Sequence, residues 1–210
     1  MKRKITCFCD NTFDVEVPEE IDLDKNQEYL NEILEGSFFS FVCQSCNKKH
    51  KPEFPLILLW PSRKTRFEVF TELDRGEFYR RKKPPKYKDS LNLETLIGYP
   101  EMADRLAVIM NGLEPMVVEA LKYYLHLKAE EQNPDKEVNI WYYNSDAQGS
   151  LEFHIHGIRE NEVALMKIPL GLYEKNLGDY KNNPKSEIYK SLRVRSYLSV
   201  KNTMRPDELK

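Results

Sequence analysis

Four cysteines in two close pairs constrain this chain more than any other feature. Cys7-Phe8-Cys9 is answered downstream by Cys43-Gln44-Ser45-Cys46, and the 210 residues hold no other cysteine. Zn2+ takes thiolates in tetrahedral geometry, and structural sites use four protein ligands. Each close pair can supply half a tetrahedron from one tight knuckle. Cys7, Cys9, Cys43 and Cys46 are therefore the candidate ligands of a structural Zn2+. Cys43-x-x-Cys46 has the usual knuckle spacing. Cys7-x-Cys9 is one residue short, which leaves open that His50 or a water replaces one cysteine. A metal-free cluster of free or disulfide-linked thiols is the remaining alternative. A C-x-x-C pair can also cycle between thiol and disulfide. That chemistry expects a strand feeding a helix N-terminus in a βαβ unit, and the sequence around Cys43 does not read that way.

The compartment bears on this choice. Met1-Lys2-Arg3-Lys4 is basic, but no long apolar run or small-residue cleavage site follows, so no secretory peptide is expected. The most apolar window, Leu56 to Trp60, is too short to span a bilayer. The expected location is cytoplasmic, where thiols stay reduced and paired cysteines serve as metal ligands more often than as disulfides. A net charge of −2 gives the chain no general attraction to nucleic acid.

Patterning predicts an α+β fold. Residues 1–73 read as a zinc-ribbon-like β module with an inserted helix. A hairpin is expected over residues 5–17, with Phe13, Val15 and Val17 alternating against Asp14 and Glu16. A helix is expected over about Lys25 to Glu35, ended by Gly36. Strands are expected over Phe38 to Val42, Phe54 to Trp60 and Arg66 to Phe70.

Residues 74–92 read as an exposed basic linker or loop, because Arg80-Arg81-Lys82-Lys83-Pro84-Pro85-Lys86 is charged and proline-bearing. Residues 93–201 read as an α+β body, packed with the first module. It begins with a short turn of helix at Leu93 to Ile97. A helix pair follows, carrying Met102, Leu106, Ile109 and Met110 and then Val117, Val118, Leu121, Tyr124 and Leu125. An antiparallel meander (Val138 to Tyr143, Leu151 to Ile155, Val163 to Ile168) comes next. A helix from Leu170 to Tyr180 has Leu172, Tyr173 and Leu177 inward. Ile188, Tyr189 and Leu192 belong to one more helix or a docking segment, and residues 202–210 read as a frayed tail.

Other candidate groups are weaker. His154 and His156 share a strand face with Glu152, which could bind a metal but reads better as the polar outer face opposite Leu151, Phe153 and Ile155. His126 falls on the polar flank of a helix. Asp104, Glu114 and Glu119 are carboxylates with no spacing that implies a shared site. Trp141, Tyr142 and Tyr143 could stack nucleic-acid bases, yet alternation places at least one in the core. No nucleophile elbow, phosphate loop, dinucleotide-binding turn or H-E-x-x-H motif is visible.

Several runs together resemble the CpXC family, named for two Cys-Pro-x-Cys motifs: Ile5-Thr6-Cys7-Phe8-Cys9, the stretch Leu30 to Cys43 (LNEILEGSFFSFVC), and Gly112 to Glu119 (GLEPMVVE). The strands near Leu151 to Ile168 and Ile168-Pro169-Leu170-Gly171-Leu172-Tyr173 are similar too. Neither knuckle carries the proline. The resemblance implies a zinc-ribbon-like N-terminal part with Cys43 and Cys46 as ligands, and it assigns no activity.

The expected function is accordingly a protein-binding or scaffold role with a structural zinc, the partner protein being unnamed by the sequence. The rival expectations are an enzyme with a site on the C-terminal body, and a zinc protein that binds nucleic acid through Arg80 to Lys88.

Overall fold

The computed structural model describes residues 1–81, 83 and 85–204. It is a mixed α+β protein with several sheets and six helices among the described residues. The chain divides into two compact units, Met1–Met102 and Ala103–Lys210.

In the first unit, β1 (Lys2–Thr6) and β2 (Thr12–Glu16) form an antiparallel hairpin with Thr6 opposite Thr12. Val15 and Val17 are buried, as the alternation predicts. β3 (Glu20–Asp22) leads into α1 (Gln27–Leu34), which buries Leu30 and Ile33. Gly36 ends this helix at φ +68°, in the left-handed conformation that glycine adopts without steric cost.

Phe38 and Phe39 do not belong to a strand, contrary to the expectation. The strand β4 is only Phe41–Val42, paired with β5 (Lys49–His50). Phe39 sits at φ +48° in a turn, and its ring stacks on Phe38 at 3.9 Å. Burial of this aromatic pair, with Tyr99 5.4 Å from Phe38, overrides the β propensity of the run.

β6 (Leu56–Trp60) and β7 (Thr65–Phe70) are antiparallel neighbours. β3 pairs with β6 in parallel, and β7 pairs in parallel with β8 (Asn92–Ile97). Parallel pairing needs a crossover, usually carrying a helix. α1 and the β4–β5 hairpin fill the first crossover, and α2 (Arg75–Arg80) opens the second.

Within the stretch read as an exposed linker or loop, Arg75–Arg80 form α2, and the described residues from 81 to 91 carry no helix or strand. Phe78 is buried against Phe70, and Arg81 Nη1 lies 2.6 Å from Glu68 Oε1. Arg66 pairs with Asp89 and holds its guanidinium 4.2 Å from the Tyr87 ring centre. Lys82 and Pro84 lie outside the described residues. Leu93 to Ile97, expected as a turn of helix, is β8, with Leu96 and Ile97 buried. The helix α3 (Tyr99–Met110) follows.

In the second unit α4 (Pro115–Gln132) buries Val117, Val118, Leu121 and Leu125 but leaves Tyr124 exposed. The meander is present: β9 (Asn139–Ser145), β10 (Leu151–His156) and β11 (Ala164–Ile168) pair antiparallel, with β10 central. Ile140, Tyr142, Leu151, Phe153 and Ile155 face α4 in one core. α5 (Leu170–Asn182) adds Tyr173 to that core, with Leu177 partly buried, while Leu172 is exposed.

α6 (Glu187–Ser191) and a short hairpin of β12 (Arg193–Val194) and β13 (Tyr197–Leu198) complete the unit. Asn202, expected to be frayed, is buried and donates through Nδ2 to Leu192 O at 2.8 Å. Residues 205–210 of the expected tail lie outside the described residues.

Candidate metal centre

Both cysteine pairs sit on hairpin loops that close by the same device. In the first, Cys7 N–H donates to Asn11 O at 2.8 Å and Asp10 N–H donates to Cys7 O at 2.9 Å. In the second, Cys43 N–H donates to Lys48 O and Asn47 N–H donates to Cys43 O, each at 2.9 Å. The residue after each second cysteine adopts a left-handed backbone: Asp10 at φ +63° and Asn47 at φ +58°. Asp and Asn enter that region at lower cost than other side-chain-bearing residues. The left-handed turn lets the shorter Cys7-x-Cys9 loop fold back despite its missing residue.

The four sulfurs converge, with all four Sγ atoms within 4.8 Å of one another. Cys7 Sγ is 3.4 Å from Cys46 Sγ, and Cys9 Sγ is 3.7 Å from Cys43 Sγ. These contacts run between the knuckles, and all four cysteines are free thiols. A tetrahedral ion with bonds of about 2.3 Å to sulfur has sulfur–sulfur edges of about 3.8 Å. The donor set and its spacing fit such an ion. The same four cysteines are the group found among the described residues with metal-binding geometry.

The thiols do not share one proton affinity. The backbone N–H of Cys9 favours the Cys7 thiolate, but burial and hydrogen bonds to the other three cysteines prevail and push the Cys7 thiol up to about 12. Burial opposes ionisation of Cys43. The Asn11 amide and the backbone N–H groups of Ser45 and Cys46 outweigh it and bring that thiol down to about 6. A bound dication would favour the thiolate at all four positions.

Two neighbours act on the sulfurs from outside. His50 Nε2 lies 3.1 Å from Cys7 Sγ, and Asn11 Nδ2 donates to Cys43 Sγ at 3.5 Å. His50 thus meets the cluster through Cys7. Its ring also stacks on Phe8, which is 86% exposed at the tip of the first knuckle. The proximity of His50 to the second cysteine pair was readable in the sequence. The role of Asn11 was not, because nothing in a knuckle spacing marks the hydrogen bonds to its sulfurs.

The other candidates fall elsewhere. Glu152 and His154 are half-buried on β10, with His154 Nε2 3.5 Å from Glu152 Oε1 and the His154 ring stacked on Tyr143 at 4.2 Å. His156 is exposed. His126 is buried rather than on a polar flank, its Nδ1 3.3 Å from Glu130 Oε1. Tyr142 is core, Trp141 is half-buried, and Tyr143 is exposed. Glu114 caps α4 by accepting from Met116 N–H.

Asp104 and Glu119 do share a site, which their spacing in the sequence hides. Lys122 Nζ donates to Asp104 Oδ2 and, at 2.8 Å, to Glu119 Oε1. Asp104 Oδ1 accepts from Tyr142 N–H, and Glu119 Oε2 accepts from Val200 N–H at 2.7 Å. Arg105 Nη2 lies 3.5 Å from Glu119 Oε1 and donates to Leu198 O at 2.8 Å. Every carboxylate oxygen in this buried cluster has a protein donor. It ties α3, α4, β9 and the segment after β13 together, as a buried charge set must if it is not to be costly.

Fold and site define an α+β protein with a paired-knuckle cysteine cluster. The chain belongs to the CpXC family: the family model described as "CpXC protein" matches residues 5–122, which include both knuckles. A protein of Treponema pallidum (strain Nichols), described as uncharacterized, is 27% identical over 95% of this chain and 97% of its own length. No solved structure matches. No helix among the described residues is long and apolar enough to cross a membrane.

Proposed function

We propose that Cys7, Cys9, Cys43 and Cys46 bind one structural Zn2+ in a zinc-ribbon-like arrangement, and that the protein has a non-catalytic, protein-binding or scaffold role. The observation that carries the zinc reading is the convergence of four sulfurs from two loops within 4.8 Å. Four protein thiolates complete a tetrahedron and leave no position for substrate or activated water. The metal then works through folding, since a site of this kind forms only in the folded chain. Its ligands fasten the β1–β2 hairpin to the β4–β5 hairpin, each a two-stranded sheet of its own. Two-stranded hairpins are marginal in water without such help.

The carboxylates that an enzyme reading would recruit, Asp104 and Glu119, are spent on internal donors. That favours the non-catalytic reading.

Replacement of the metal by Co2+ tests the proposal. A tetrahedral tetrathiolate site gives intense visible absorption that does not change when azide or cyanide is added. A spectrum that shifts with added anion would mean an open coordination position and would overturn the non-catalytic reading.

A further inference from the structure

The second unit contains a cavity that the metal reading does not use. It lies between α4, β11 and α5 and has a volume of about 480 Å³. Sites for small molecules occupy about 300–1,000 Å³ and are lined mostly by apolar side chains with a few polar groups. Leu121, Leu125 and Ile168 contribute buried apolar surface from the core. Met166 and Leu172 line it too, and they are respectively 40% and 45% exposed. Together these side chains give the cavity an apolar wall that continues from the core to its mouth.

The charge of the lining is one-sided. Lys128, Lys167 and Lys175 face a single acidic side chain, Asp179. Lys167 is already engaged, 3.0 Å from Asp146 Oδ2. Lys128 and Lys175 stand on the two helices that border the cavity, and neither belongs to an ion pair among the described residues. An apolar cavity bordered by two uncommitted ammonium groups complements a molecule with an apolar body and one anionic head.

We propose that this cavity binds a single-chain amphiphile with a carboxylate head, of the fatty-acid class, its chain against Leu121, Leu125 and Leu172 and its head at Lys128 and Lys175. The proposal is independent of the metal site.

The test is titration of the full-length, metal-loaded protein with sodium dodecanoate, below the concentration at which it forms micelles, followed by calorimetry. The expected result is saturable binding of one dodecanoate per chain. Dodecanol, which keeps the chain and loses the charge, should bind at least about tenfold more weakly. K128E/K175E should lose about tenfold or more, and Leu172→Glu, which places a like charge in an exposed part of the wall, should abolish binding. Circular dichroism of both variants should match the parent.

Absence of saturable binding would overturn the proposal. So would dodecanoate binding that folded K128E/K175E and Leu172→Glu leave unchanged. Saturation by an acidic amphipathic peptide but not by dodecanoate would overturn it as well, and would assign the cavity to a helix.

Discussion

His50 Nε2 lies 3.1 Å from Cys7 Sγ, close enough to donate a hydrogen bond to that sulfur while its ring stacks on Phe8. A donor to a thiolate offsets part of its charge and orients the ligand, and loss of such outer partners commonly lowers metal affinity about 10- to 100-fold. His50→Ala should therefore weaken Zn2+ binding by that factor while leaving four sulfur ligands, as competition with a chromophoric chelator would read. If His50 were itself a ligand, the Co2+-loaded parent would show a mixed nitrogen–sulfur spectrum, and the variant would change it.

Asn47 closes the second knuckle at φ +58°. A β-branched side chain there meets the carbonyl of its own backbone, at about 1–2 kcal/mol. Asn47→Val should lower stability by that amount, and Asn47→Gly should be close to neutral. Equal effects of both substitutions in urea unfolding would mean that the Asn47 side chain, rather than its backbone, is what matters.

Gly157 makes a sharper steric prediction. It sits at φ +96°, and a Cβ placed there would lie 2.0 Å from the Glu137 carbonyl oxygen. Gly157→Ala must move backbone at the end of β10, and should cost more than about 1 kcal/mol. A thermal midpoint within error of the parent would contradict the close approach of these two segments.

Lys122 holds two buried carboxylates. Its removal leaves them facing one another without their shared cation, and Lys122→Ala should destabilise the second unit by about 3–5 kcal/mol. Asp104 adds a pH signature. Burial pushes its carboxyl up to about 6, although Lys122 beside it works in the opposite direction. A folded-state value above the unfolded one, near 3.8, means that the folded chain binds the extra proton. That contribution to stability is full below about pH 4 and is lost as pH rises through about 6. Asp104→Asn has no such titration, so its stability relative to the parent should improve between pH 4 and pH 7. A difference that stays constant over this range would show that Asp104 does not titrate there.

The elements with strong periodicity were legible in the sequence. The meander declared itself through Leu151, Phe153 and Ile155, and α4 through Val117, Val118, Leu121 and Leu125. β8 was not legible, because Leu93, Leu96 and Ile97 have helical spacing while the strand's burial comes from parallel pairing with β7. The same pairing hid the crossover in residues 74–92, since a local charge run says nothing about the two strands it connects.

At the candidate metal site the four sulfurs were legible from their spacing and Asp10-Asn11 as a turn, while the left-handed Asn47 was not. The buried cluster of Asp104, Arg105, Glu119 and Lys122 was invisible for a general reason. A charged residue on a helix reads as solvated until the elements that cover it are known.

One zinc ion held by the cysteine cluster is what joins the two hairpins in this reading. Elemental analysis of untagged protein, purified under reducing conditions, with thiols counted before and after chelation, tests it most directly. The expected result is one zinc per chain and four thiols that react only once the metal is withdrawn. A metal-free chain with four freely titrating thiols would contradict it, and would leave the cysteines as packing or redox residues.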